Sequence, residues 1–97
     1  MGDYKLSNAA KRDLSSIYEF GIETFGIHQA RIYLNKLHKA FLILAENREL
    51  GHDVSEFAEG LRRYIFDSHA IFYLPIDSGV FIVRVLGQQM DYKKHIK

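Results

Sequence analysis

Two stretches of helical periodicity with almost nothing between them narrow the folds open to this chain more than any other feature. Ala10, Leu14, Ile17, Tyr18, Gly21 and Phe25 recur at the spacing of one helical face. Ala30, Tyr33, Leu34, Leu37, Phe41 and Leu44 form a second such stripe. Asp13, Glu19 and Glu23 fall away from the first stripe. Ser7 is placed as an N-cap, since its hydroxyl can accept a bond from an orphan amide of the first turn. Gly26 ends the first helix, because glycine takes the positive-φ position after a helix without steric penalty. The second helix is expected from His28 to Asn47. So short a connection makes the two helices antiparallel neighbours, and their apolar stripes need a common cover.

The texture of the sequence then changes and supplies that cover. Leu61–Phe66, His69–Leu74 and Val80–Leu86 are rich in β-branched and aromatic residues, and Asp67-Ser68 and Asp77-Ser78-Gly79 separate them as turns. They predict a three-stranded antiparallel meander. Pro75, the only proline, falls at a strand end, where it spoils no central ladder bond. Tyr4-Lys5-Leu6 reads as a brief edge strand, Leu50–Gly60 as a loop, and Met90–Lys97 as a tail of one or two helical turns. The order β-α-α-β-β-β-tail defines an α+β domain spanning residues 1–97, a helical hairpin on a small antiparallel sheet. Strand alternation assigns Ala70, Phe72, Leu74, Phe81, Val83 and Val85 to the face under the helices. It leaves His69, Ile71, Tyr73, Ile82 and Arg84 on an open face, where aromatics beside an arginine suggest a binding surface.

Composition narrows the function classes. The 97 residues suffice for one domain, and 47% hydrophobic with 26% charged residues is ordinary globular composition. Without cysteine, neither a disulfide nor a thiolate metal site can form. The first residues carry no apolar leader, and the longest apolar run, Ala40–Ala45, is far too short to span a bilayer. A soluble, cytoplasmic protein without membrane contact is expected. The net charge of +1 is small for a protein that lives on phosphate contacts. His28, His38, His52 and His95 show no metal-ligand spacing, and no cofactor motif is present.

Several motifs, taken in order, resemble the ParE branch of the RelE/ParE toxin superfamily. They are Leu6-Ser7-Asn8-Ala9-Ala10-Lys11-Arg12-Asp13-Leu14 opening the first helix, Phe25-Gly26-Ile27-His28-Gln29-Ala30 between the helices, and Leu44-Ala45-Glu46-Asn47 at the end of the second. Gly60–Tyr64, His69–Tyr73, Arg84-Val85-Leu86 and Met90-Asp91 follow. Two departures stand out: Arg48 where proline is usual, and Gly87 where histidine is usual. The resemblance implies a RelE/ParE-like fold and the toxin half of a type II toxin–antitoxin pair. Such a toxin poisons DNA gyrase without itself being an enzyme. It implies a ParD-like antitoxin, a ribbon-helix-helix dimer whose disordered tail folds on binding, with operator DNA reached only through that antitoxin. The alternative is an mRNA interferase of RelE type, in which arginines on the strands stabilise a phosphate and a C-terminal tyrosine or histidine handles the proton.

The residues expected to meet the target are Arg63, His69, Tyr73, Arg84, Met90, Asp91, Lys93 and Lys94. Met90 and Asp91 are read as anchors for a tail that touches it. The plainer readings are a solvated charged face for the two arginines, cross-strand packing for His69 and Tyr73, and a solvated chain end for the lysines. Tyr18, Ile22, Ile32 and Ile43 are the apolar positions expected to receive the antitoxin. Scattered surface apolar residues would look the same.

Overall fold

The computed structural model describes residues 2–87. The predicted tail, with Met90, Asp91, Lys93, Lys94 and His95, lies outside them. The elements are β1 (Asp3–Leu6), α1 (Asn8–Phe25), α2 (Ile27–Glu46), β2 (His52–Asp53), β3 (Arg62–Phe66), β4 (His69–Ile76) and β5 (Gly79–Gly87). They build one open mixed sheet in the order β1-β5-β4-β3-β2. β1 runs parallel to β5, and the remaining pairings are antiparallel. The stretch expected to be loop thus contributes β2, two residues paired with Arg62 and Arg63. A strand that short leaves no alternation to read.

The helices form as their stripes require. Ser7 caps α1, its Oγ accepting from the amide of Ala10 at 2.9 Å. Gly26, at φ +92°, makes the whole connection between the helices, and its amide donates to the Ile22 carbonyl. A side chain on Gly21 would press on Ala30, so these two small residues let α1 and α2 approach closely. Phe25 departs from the expected stripe and is 68% exposed.

The largest departure concerns the sheet faces. The main core joins Ala10, Leu37, Phe41 and Leu44 of the helices to Ile71, Tyr73, Val80, Ile82 and Val85. Ala70, Phe72 and Leu86, with Leu74 and Val83 beside them, belong to a second cluster closed by Val54, Phe57 and Leu61. The strand faces are therefore reversed from expectation at Ala70, Ile71, Phe72, Tyr73, Leu74, Ile82 and Val83, while Val85 lies under the helices as assigned. Two physical causes account for it. β4 is apolar on both faces, so its alternation carries no inside-outside signal. A bulge then opposes Phe72 to Arg84 but Tyr73 to Ile82, leaving Val83 as the extra residue on β5. Ile82 and Val85, three apart, end on one face, which strict alternation forbids. Nor is the second face open, since the segment from Val54 to Leu61 covers it.

Candidate functional site

The candidate site grows from the far half of β5. β1 accompanies β5 only from Gly79 to Ile82. Beyond that point the strand has an edge, and an unpaired buried backbone group would cost about 1–3 kcal/mol. The start of α1 supplies side chains where a neighbouring strand would have supplied backbone. Ser7 Oγ donates to the Val83 carbonyl at 2.7 Å while capping its own helix. Asp13 Oδ2 accepts from the Val85 amide at 2.9 Å. The same carboxylate takes Arg84 in a two-pronged pair, Nε to Oδ2 and Nη2 to Oδ1, each at 2.8 Å.

Both partners are largely withdrawn from water, with side-chain exposures of 21% for Arg84 and 13% for Asp13. The hydrogen bond to Asp13 raises the guanidinium pKa above its ordinary value, more than burial lowers it. A planar guanidinium meeting a carboxylate this way is among the stronger and more directional polar contacts in proteins. Arg84 is therefore committed to α1 and does not stand on an open sheet face as expected. Asp13 was missed by the sequence reading. Its traces there were its place off the apolar stripe and in the motif that opens α1.

The register puts Arg63, Phe72 and Arg84 in one row across β3, β4 and β5. Phe72 is buried and Arg63 is half-buried. His69 stands opposite Phe66 on one side and Gly87 on the other. It faces the helices, where its Nδ1 lies 2.6 Å from the Tyr33 hydroxyl. Burial lowers the His69 pKa, against a smaller opposite effect of Asp67, and burial raises that of Tyr33. The neutral imidazole is thereby favoured, with Nδ1 free to accept from the phenol. Tyr4 and His38 make a similar pair at 2.5 Å between β1 and α2.

Tyr73 is not a contact residue. Its side chain is fully buried, and its hydroxyl accepts from the Gly51 amide at 2.8 Å and donates to the Arg48 carbonyl at 2.9 Å. It pins the segment after α2 to the sheet. Arg48, the departure from the usual proline, donates from Nη1 to the Ile76 carbonyl at 2.6 Å. Arg62 reaches the carbonyls of Gly51 and Glu49. An open groove lined by Arg48, Glu49, Glu59, Arg62, Leu74 and Ile76 runs past these contacts. Its two arginines are already occupied with backbone.

On the helical hairpin, Tyr18, Ile22 and Ile32 are half-buried and less available than expected, whereas Ile43 is exposed. The apolar side chains that do face water there are Phe20 (65%), Phe25, Ile27 and Leu42. Sequence periodicity hid Phe25 within the stripe and gave no reason to choose Phe20.

Comparison with known proteins interprets this arrangement. The profile described as "ParE toxin of type II toxin-antitoxin system, parDE" matches residues 4–92. The chain belongs to this family. It is 33% identical over 96 residues to Toxin ParE1 of Caulobacter vibrioides, covering 99% of both chains. It is 34% identical to Toxin ParE1 of Mycobacterium tuberculosis, covering 96% of both. The fold is similar to a solved chain titled "Chromosomal ParDE TA system from P. aeruginosa", with a TM-score of 0.74 and 18% identity. That match covers 90% of this chain and 96% of the other. The matched profile spans β1 through β5, so Asp13, Arg63, His69 and Arg84 all lie within the ParE toxin region. No helix among the described residues is long and apolar enough to cross a membrane.

Proposed function

We propose that this ParE-family toxin acts by binding DNA gyrase and stabilising its cleaved complex with DNA, rather than by cutting RNA. A poison of this kind needs only to bind the cleaved state more tightly than the resealed one. The observation that carries the reading is the state of the strand end where a RelE-type enzyme would do its chemistry. Arg84 is held by Asp13, and position 87 carries glycine, which cannot move a proton. His69, opposite Gly87 on β4, is turned to Tyr33 under the helices. Among the described residues, Arg84 therefore has no titratable proton carrier assigned beside it on the strand end. The small net charge of +1 agrees with a protein target.

The partner that silences the toxin is a ParD-like antitoxin. The Pseudomonas aeruginosa chain with the similar fold comes from a ParDE system. On this chain the outward apolar side chains Phe20, Phe25, Ile27, Leu42 and Ile43 give an amphipathic antitoxin segment its landing surface. The test is a cleavage reaction with purified toxin, gyrase, supercoiled plasmid and ATP, stopped with detergent and protease. Linear plasmid that appears only with toxin, and disappears when antitoxin is added, is the expected result. Intact plasmid alongside cleavage of a ribosome-loaded message would overturn it in favour of the ribonuclease.

A further inference from the structure

The outward side of α2 is a cationic surface with an apolar end. The helix turns Ala30, Leu37, Ala40, Phe41, Leu44 and Ala45 inward. Arg31, Lys36, Lys39, Leu42 and Ile43 are exposed. With about 100° and about 1.5 Å per residue, these side chains fall within an arc of roughly 140° and a length of about 18 Å. From Ile27 to Ala45 the helix contains no acidic residue. Its first acid, Glu46, accepts from the Gly2 amide. Among the described residues, Arg31, Lys36 and Lys39 have no ion-pair partner. Lys36 and Lys39 also lie at i and i+3, where like charges on a helix repel.

The charges of the domain are sorted across the sheet. α2 packs on one face. Asp53, Glu56 and Glu59 lie in or beside the segment that closes the opposite face. Arg48 and Arg62, on that side of the fold, are turned to backbone carbonyls. An acidic partner is therefore drawn to α2 and turned away from the far side of the sheet.

We infer that the outward face of α2 is the docking strip for an acidic helical segment of the antitoxin. Carboxylates one or two turns apart on that segment meet Arg31, Lys36 and Lys39, and apolar residues between them meet Leu42 and Ile43. This rests on the antitoxin reading above, but not on gyrase being the target. It adds to that reading the charge of the partner and the helix it lies along. A nucleic acid suits the strip less well. A duplex stretch of about 18 Å carries about ten phosphates, far more than these cations can match. Exposed leucine and isoleucine gain nothing from a phosphate backbone.

The experiment measures binding of the purified full chain to the dye-labelled antitoxin encoded beside it. Wild type is compared with a neutral triple variant, Arg31→Gln/Lys36→Gln/Lys39→Gln, a reversed triple variant, Arg31→Glu/Lys36→Glu/Lys39→Glu, and Lys5→Glu, an exposed cation of β1. Circular dichroism gives the folded fraction of each. The expected loss of affinity is about tenfold for the neutral triple and about a hundredfold for the reversed one, with Lys5→Glu within about twofold of wild type. Association of the wild type should slow as salt is added, and that dependence should shrink in the neutral triple. In cells, both triple variants should still arrest growth, and an antitoxin level that silences wild type should no longer silence the reversed one.

A folded reversed triple that binds antitoxin within about twofold of wild type overturns the proposal. So does an equal loss in Lys5→Glu, which would make the effect one of net charge alone. If the reversed triple is unfolded, the neutral triple decides by the same measure, and if both are unfolded the cations serve the fold and the proposal falls. A labelled DNA duplex that binds wild type and is released by the neutral triple, while antitoxin binding stays unchanged, would assign the strip to nucleic acid instead. Antitoxin that fails to bind wild type at all would refute the antitoxin reading itself. Antitoxin that binds wild type and all variants alike would refute only its placement on α2.

Discussion

Replacing Tyr73 by phenylalanine tests whether the buried hydroxyl, rather than the ring, holds the segment after α2 in place. The ring stays and fills the same volume in the core between the helices and β4. Only the oxygen goes, and with it two contacts, the Gly51 amide as donor and the Arg48 carbonyl as acceptor. The Gly51 amide is buried against the phenol so closely that any side chain there would collide with the hydroxyl. Water has no ready way to replace it. Leaving that donor unpaired costs about 1–3 kcal/mol, and the lost bond to the more exposed carbonyl adds roughly 0.5–1 kcal/mol. A total near 2–3 kcal/mol lowers the melting temperature of a domain this size by roughly 10–20 °C. Thermal unfolding followed by circular dichroism measures it, and hydrogen exchange of the Gly51 amide reports the site itself. A fall of less than about 3 °C, with the amide still protected, would refute the reasoning.

Other consequences are as direct. His69 titrates below its ordinary value because it is buried, so the unfolded chain takes up the proton more readily than the folded one. Its contribution to stability is complete above the unfolded value near pH 6.5 and is lost as pH falls through the folded value. Denaturation midpoints should therefore drop between pH 7 and pH 5, and His69→Gln should flatten that slope. Gly79, at φ +150°, lies so close to Asp3 of the parallel strand that a methyl group would overlap the Asp3 backbone. Gly79→Ala should detach β1 and cost more than about 3 kcal/mol, whereas Gly60→Ala, strained only by its φ of +78°, should cost about 1–2 kcal/mol in denaturant titrations. Deleting Met90–Lys97 should leave a folded chain that still binds antitoxin but no longer arrests growth. Retained toxicity would remove the chain end from the mechanism.

The helices were legible because their evidence is local. Ser7, Gly26 and two stripes at helical spacing each act within a few residues, and both helices formed as expected, although Phe25 at the end of the first stripe is exposed. The meander was legible for the same reason, since turn residues punctuate it. Which face of each strand lies inward was not legible. His69–Leu74 offers apolar residues to both sides, and a bulge that changes the parity of β5 leaves no mark in composition. Pairings distant in sequence were equally silent. Nothing near Tyr4 says that β1 lies parallel to β5, and nothing near Asp13 says that its partner is Arg84. Tyr73 illustrates the cost of reading faces from alternation: assigned to an open surface, it is the largest fully buried side chain among the described residues.

That reversal changes where recognition can occur. A small domain exposes a large share of its surface, and the sequence suggested that one whole sheet face was available. In the structure both faces are used to build the core, one under the helices and the other under Val54–Leu61. What remains on the described surface is the outward side of the hairpin and the ends and edges of strands. β2 pairs with Arg62 and Arg63 only; beyond it Ile65 of β3 is exposed, while Tyr64 and Phe66 pack against the helical core. The hairpin carries most of the exposed large apolar side chains, which suits burial by a folding antitoxin segment and gives little purchase on nucleic acid. The end of β5 carries the continuation of the chain toward Lys93, Lys94 and Lys97. An antitoxin segment would then cover the hairpin, where α1 bears Phe20 and Phe25 near its C-terminal end. Substitutions at Phe20 or Phe25 should accordingly weaken neutralisation by the antitoxin while leaving growth arrest intact; arrest lost together with neutralisation would refute the separation.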